Sequence, residues 1–445
     1  MKKSVTQIVL LGGGYVSVWA YRSLLKTLRN EITQGGVQIT VICPEKYHFF
    51  HGWTAESLTG IIQDQGRMSP LSEIFKKANL INGKAEEINS STNTVYVRME
   101  DGSFHSVHYD HLLLGIGSFD SDNIEGLAKF GYQVKSHEAF TRTKQTIRQI
   151  VELASRSKSA VAQALLSFTI AGGGFTGVEL ATNIAEFINL LKKQYPSLQN
   201  IKHTIRHVIS TDRMLNVLHP RFDRIIRYAE KTMMNYDIEI IANKRITKVS
   251  EHGAFLNDGS FLQSSMVIST IGQSRIVLKG TQNMEKDNLK RICTNEYLQI
   301  KNFSNIRGGG DACHVKHCKT MGPCPANALW AIKHGEYIGK NIGHNIKKQP
   351  LKKFNYRGLG QTASLGIGKG MEELYGIQFT GWIAWIMRLF VFTYFMPLRR
   401  VMFNEISDWM FLLFRGQRKE LWIERKQMEK EKIFSLKQVS LNKVA

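Results

Sequence analysis

The chain has 445 residues, 43% of them apolar, with a formal net charge of +22 at pH 7. That length allows two or three domains, and the apolar fraction fits a globular protein. The charge calls for an anionic partner, and no basic low-complexity arm or nucleic-acid motif accompanies it. A nucleic acid is therefore set aside, and a lipid surface is favoured over an acidic protein. Five cysteines, an odd number without a regular framework, fit a reducing compartment.

Met1-Lys2-Lys3 and the apolar run behind it superficially resemble a signal peptide. The run stops at Gly12-Gly13-Gly14, and a strand entering a glycine turn explains it better. Ile8–Leu11 reads as that strand, and the stretch from Tyr15 reads as a helix. In G-x-G-x-x-G, the first glycine permits the turn and the second lets backbone approach a pyrophosphate. The third lets helix and strand pack closely. Gly12 and Gly14 fit this pattern, while Ser17 replaces the third glycine with a residue still small. The next strand, Val37–Ile42, ends at Cys43-Pro44-Glu45. Cys43 takes the place usual for a ribose-binding acid, and Glu45 follows two residues later.

Val95–Met99 followed by Asp101-Gly102 reads as a hairpin strand and turn. Tyr109–Gly117 reads as a buried strand ending in small residues. A second glycine turn follows at Phe168–Glu179, complete with Gly172, Gly174 and Gly177, and Phe175 opens its helix. The strand His207–Ile209 then runs into Ser210-Thr211-Asp212-Arg213. No acid stands at its end, and Arg213 is placed to meet a 2′-phosphate, so NADH and NADPH both stay open. A second hairpin at Gly253–Gly259 and a strand closing at Gly272 repeat the plan of the first unit. Two such turns about one domain apart imply two dinucleotides held near each other. The segment Asn305–Ala312 then returns to the first unit. From about 380, Trp382, Trp385, Phe390, Tyr394, Trp409 and Phe414 alternate with Arg388, Arg399, Arg400, Arg415 and Arg418. This pattern suits helices lying in a membrane interface, or else a buried helix pair. A spanning helix would hold Arg388 at costly depth. From Glu420 the tail is charged and reads as solvated.

These motifs resemble the flavoproteins with two dinucleotide-binding domains. More narrowly, the chain resembles the type II NADH dehydrogenases, single-chain NADH:quinone oxidoreductases of membrane surfaces. The likeness rests on the first turn, Tyr47-His48-Phe49-Phe50, Gly115-Ile116-Gly117, Gly172–Glu179 and Gly310-Asp311. C-terminally it rests on Tyr356-Arg357, Ala363–Gly366, Gly381–Trp385 and Phe390-Val391. The resemblance implies an α/β fold with two Rossmann-like domains and a C-terminal amphipathic helical segment that binds membrane. FAD would lie in 1–137 and 276–350, NADH or NADPH in 138–275, and the membrane segment would be 351–445. Cofactor contacts would come from Gly12, Gly13, Gly14, Tyr15, Ser17, Glu45, Gly117, Gly310 and Asp311, with Asp311 on the ribityl chain. Those of the second unit would come from Gly172, Gly174, Phe175, Gly177, Glu179 and Gly272.

Glu179 would have a positioning role near the nicotinamide, or would simply favour a helix N-terminus. The family's quinone site has two glutamines where this chain has Leu329 and Lys333. Lys333 either stabilises negative charge on reduced flavin or quinol, or is an exposed helix lysine. The implied reaction passes hydride from the nicotinamide to FAD and electrons to a quinone, without proton pumping. The alternatives are a reductase with a non-quinone acceptor and a non-catalytic membrane-bound flavin or nucleotide sensor. The expected place is peripheral, on the cytoplasmic face of the cell membrane, with a homodimer left open. Cys313-His314, His317-Cys318 and Cys324 lack the paired spacing of a zinc site, so no metal is expected. No cysteine lies between Cys43 and Cys293, which argues against the chemistry of disulfide and sulfide reductases.

Overall fold

In the computed structural model, residues 5–416 are described, together with 418, 423 and 426. The chain forms two compact units, each assembled from separated segments. The first takes residues up to Phe49, then Ser69–Ser121 and Gly272–Leu359. The second takes Phe50–Met68, Asp122–Ile271 and the described residues from Gly360 onward.

The first unit is built on a seven-stranded sheet. Its spatial order is Ile306–Gly308, His111–Leu114, Thr6–Leu11, Val37–Cys43, Asn79–Asn89, Thr94–Met99 and Phe104–His108. The first five strands are parallel, and the last two form an antiparallel meander. Runs such as Ile8-Val9-Leu10-Leu11 are wholly buried, as expected of parallel strands covered on both faces. Helix Tyr15–Thr27 packs against helix Ala328–Ile346 at very short range. A Cβ at Gly335 would stand 2.3 Å from the Val16 carbonyl oxygen, and one at Gly339 would stand 2.3 Å from that of Ala20. Ser23 Oγ donates to the Glu336 carbonyl at 2.9 Å across the same seam.

The second unit has a four-stranded parallel sheet in the order Ile238–Ile241, Thr204–Val208, Ser167–Ala171, Met266–Ser269. A three-stranded antiparallel sheet spans Ile246–Ser250, Gly253–Leu256 and Phe261–Gln263. A second antiparallel sheet, Gly360–Ser364, Gly370–Leu374 and Ile377–Gly381, leads into helices Trp382–Tyr394 and Arg399–Arg415.

The boundaries differ from those drawn on sequence. The second unit begins at Asp122 and also takes residues 50–68, and the C-terminal sheet and helices pack into it instead of standing apart as 351–445. The reason is visible in the side chains. Ala363, Leu365 and Met371 are fully buried in the same apolar cluster as Phe168, Ile184 and Ile226. The charged tail from Glu420 lies outside the described residues apart from 423 and 426, as does Met1-Lys2-Lys3.

Candidate nucleotide-binding sites and a buried ion cluster

Both glycine turns have the stereochemistry a pyrophosphate needs. In the first unit Gly12 has φ +92°, and a Cβ there would stand 2.6 Å from the Gly115 carbonyl oxygen. Gly14 is the N-cap of helix Tyr15–Thr27, and no described side chain caps it. A Cβ on Gly14 would meet nothing nearer than 3.9 Å, so its face is open. Uncapped N–H groups at the positive helix end, beside an open glycine, fit a phosphate. Ser17 is fully buried and its Oγ donates to the Leu11 carbonyl at 3.3 Å. A Cβ on residue 115 would fall 2.3 Å from that Oγ. The absence of a side chain at 115 therefore makes the room that serine at 17 requires.

His48 braces the first turn. Burial pushes its pKa down to about 4, so the ring is neutral and its Nδ1–H donates to the Gly13 carbonyl at 3.0 Å. Tyr15 packs edge-on against the same ring at 4.8 Å. The Cys43 thiol donates to Glu45 at 3.0 Å, and burial together with that carboxylate pushes its pKa up. At the far strand end, Asp311 Oδ2 accepts from Ser118 Oγ at 2.7 Å and from Gln273 Nε2 at 3.2 Å. Gly310 (φ +66°) donates its N–H to His334 Nδ1 at 3.0 Å. Gly117 and Gly272 also have positive φ, +67° and +74°. Lys333 is half-buried and bonds Glu336 at 2.8 Å, with Nζ 5.9 Å from the Tyr356 ring centre.

The second turn repeats these devices. Gly172 has φ +120°, and a Cβ on Gly177 would stand 1.9 Å from the Gly172 carbonyl oxygen, so only glycine fits there. Gly174 caps helix Phe175–Lys192 with no described side-chain partner, and a Cβ on it would meet nothing within 4 Å. A buried, neutral His207, pushed down to about 4, donates Nε2–H to the Gly172 carbonyl at 2.7 Å. Sequence reasoning missed both bracing histidines, because a lone histidine has no pattern of its own. The loop after Thr204–Val208 lies on this turn, since Leu215 N–H donates to Gly173 O at 2.7 Å. Arg213, read from sequence as placed for a 2′-phosphate, is already engaged. Its Nε and Nη2 each meet Glu230 at 2.9 Å, and Nη1 is 3.5 Å from Asp223.

Arg388 is the largest departure from expectation. The interfacial reading aimed its charge at lipid phosphates, but the side chain is 1% exposed. Its guanidinium pairs bidentately with the fully buried Glu56, donates to the Gly52 carbonyl at 2.7 Å and reaches Glu179 Oε1 at 3.1 Å. The Phe392 ring centre lies 4.4 Å from it. A buried cation requires such partners. Arg418 is likewise turned inward, onto the Thr59 carbonyl and Glu186. Glu179 sits in the first turns of its helix, as read from sequence, and also accepts from the Ser364 N–H at 2.8 Å. Burial raises its pKa to about 7 against the opposing pull of Arg388.

Two cradles of this form on two parallel sheets define a two-dinucleotide oxidoreductase. Residues 6–335 match the family model described as pyridine nucleotide-disulphide oxidoreductase. The chain belongs to that family and is an oxidoreductase enzyme. It is 24% identical over 398 residues to the type II NADH:quinone oxidoreductase of Staphylococcus saprophyticus, covering 87% of this chain and 94% of the relative. Against the enzyme of the same name from Staphylococcus haemolyticus it is 26% identical, with the same coverage. Among solved structures, NDH2 of Plasmodium falciparum in complex with NADH shares the fold. Its TM-score is 0.82 at 16% identity, over 93% of this chain and 99% of that one.

Two side chains of the cysteine-histidine cluster are engaged with other partners. His314 pairs with Asp287 at 2.8 Å, and the Cys318 thiol donates to the Tyr356 carbonyl at 3.2 Å. Among the described residues no group of three or more metal-ligating side chains is arranged to hold a metal ion.

Proposed function

We propose that the protein oxidises NADH at a membrane surface and reduces a quinone, without moving protons across the membrane. The observation that carries this reading is the doubled cradle, with open faces at Gly14 and Gly174 above uncapped helix ends. The names and near-full coverage of the staphylococcal relatives support it. FAD is held by Gly12, Gly13, Gly14, Tyr15 and Ser17, with Glu45 at its ribose and Gly117, Gly310 and Asp311 toward the riboflavin. Asp311, oriented by Ser118 and Gln273, accepts from the ribityl chain. Gly172, Gly174, Phe175 and Gly177 hold the nicotinamide nucleotide. Bound there, the flavin supplies two-electron chemistry, taking hydride from reduced nicotinamide and giving electrons to the acceptor. Glu179 is a positioning residue, fixed by Ser364 and Arg388.

Attachment to the membrane is peripheral, on the cytoplasmic face, through the outer face of the two C-terminal helices. Trp382, Phe390, Tyr394, Phe403 and Phe414 are all more than half exposed, beside exposed Arg399, Arg400 and Arg415. Rings at the acyl boundary with cations at phosphates suit an interface. No described helix is long and apolar enough to cross a bilayer.

Anaerobic bleaching of bound flavin by NADH, followed by reoxidation with a quinone panel, tests the reaction. A flavin that NADH bleaches but no quinone reoxidises overturns the quinone half. It would favour a reductase with another acceptor, the reading to which Leu329 and the Lys333–Glu336 pair point. Combined Trp382→Ser, Phe390→Ser and Phe414→Ser substitutions test docking, and release from anionic liposomes is the expected result. Truncation at Trp382 is unsuitable because it removes the buried Trp385, Arg388 and Trp409.

A further inference from the structure

Arg307 occupies the middle of the strand Ile306–Gly308 in the first unit, with Leu113 as its cross-strand partner. The strand is at the edge of the sheet yet wholly buried, and a buried parallel strand ordinarily carries an apolar residue at such a place. Its side chain is fully buried. Among the described residues, none of its Nε, Nη1 and Nη2 atoms meets a hydrogen-bond acceptor. Among the described residues no carboxylate acts on it. Burial is the sole influence on its pKa, which falls to about 10, so the guanidinium stays charged at neutral pH. A buried cation with no counter-charge is strongly unfavourable.

A neutral ring lies beside it. His111 lies two residues before Leu113 on the neighbouring strand, and so on the same side of the sheet as Arg307. Burial and then the Arg307 charge push its pKa down to about 4, against the weaker pull of the exposed Asp110, so its ring is neutral, and its buried Nδ1 has no partner among the described residues. Neither residue belongs to either glycine cradle.

We infer that Arg307, with His111 beside it, forms a buried anion site that takes one small monovalent inorganic anion of the halide class. A single guanidinium beside a neutral ring balances one negative charge. A doubly charged oxyanion would leave an excess in a fully buried place.

The test uses the full-length, flavin-loaded protein. Sodium chloride replaces sodium gluconate stepwise at constant ionic strength while the melting temperature is read. A ligand bound only by the folded state gives a saturable rise, on the order of 3 °C at saturation. Arg307→Met should abolish that rise and melt no lower than the parent in gluconate, because it removes an unpaired buried charge. Crystals soaked in bromide should show an anomalous peak beside the Arg307 guanidinium. Equal melting in chloride and gluconate, or a water with no bromide signal at that position, overturns the inference. So does a chloride-dependent rise that persists in Arg307→Met. If the variant does not fold, the parent titration and the bromide map decide.

Discussion

Ser17 and Gly115 share one volume: the Ser17 hydroxyl occupies space that any side chain at 115 would need, at 2.3 Å from the Cβ position. Gly115→Ala should therefore cost about 1–3 kcal/mol through overpacking. Adding Ser17→Gly should recover most of that loss. A double-mutant cycle by chemical denaturation checks the coupling, and additive losses would show that the two residues do not compete.

The Arg388–Glu56 pair predicts an asymmetric response. Arg388→Met alone leaves Glu56 buried without its cation and should destabilise by about 3–5 kcal/mol. Arg388→Met with Glu56→Gln should regain part of the loss, because the fully buried Glu56 charge goes with its cation and only Glu179 is left without it. Denaturation midpoints of the two variants decide this, and equal losses would count against it.

Glu405 is fully buried in the second unit, with both carboxyl oxygens lacking a hydrogen-bond partner among the described residues. Burial raises its pKa to about 10, against a favourable contribution from the Trp53 indole and with Asp408 and Glu56 adding repulsion. The folded chain thus keeps a proton that the unfolded chain releases near pH 4.5. Stability is fully present below that value and falls as pH rises toward about 10, by up to about 1.4 kcal/mol per pH unit. Glu405→Gln should remove this slope, so its advantage over the parent should grow from pH 5 to pH 9. A constant difference across that range would mean that Glu405 does not hold its proton.

Arg213 is held by Glu230 and Asp223 beside the second glycine turn. Bound this way it is a weak partner for a 2′-phosphate, so NADH should be preferred. Glu230→Gln should loosen the guanidinium and raise the NADPH-to-NADH ratio of kcat/KM about tenfold. Steady-state kinetics with both nucleotides measures this directly.

Much of the fold is readable wherever a local rule applies. Apolar runs entering glycine turns at Gly12 and Gly172 mark the two parallel sheets, because only that backbone geometry demands those glycines. The strand expected at Val95–Met99 appears as Thr94–Met99, and the one expected at Gly253 appears as Gly253–Leu256. What sequence hid depends on long-range pairing. Arg388 reads as an interfacial cation until Glu56, 332 residues away, is placed against it. His48 and His207 become braces only when a glycine carbonyl 35 residues distant comes within reach. Arg213 invites a phosphate until Glu230 is found beside it.

The glycine seam between helices Tyr15–Thr27 and Ala328–Ile346 has a consequence for how the protein is made. The opening strand, Thr6–Leu11, needs His111–Leu114, which in turn pairs with Ile306–Gly308. During synthesis the amino-terminal unit must wait, half assembled, until helix Ala328–Ile346 has left the ribosome. By then every strand of the four-stranded parallel sheet in the inserted segment has emerged, so that later-encoded sheet is free to fold before the unit that precedes it.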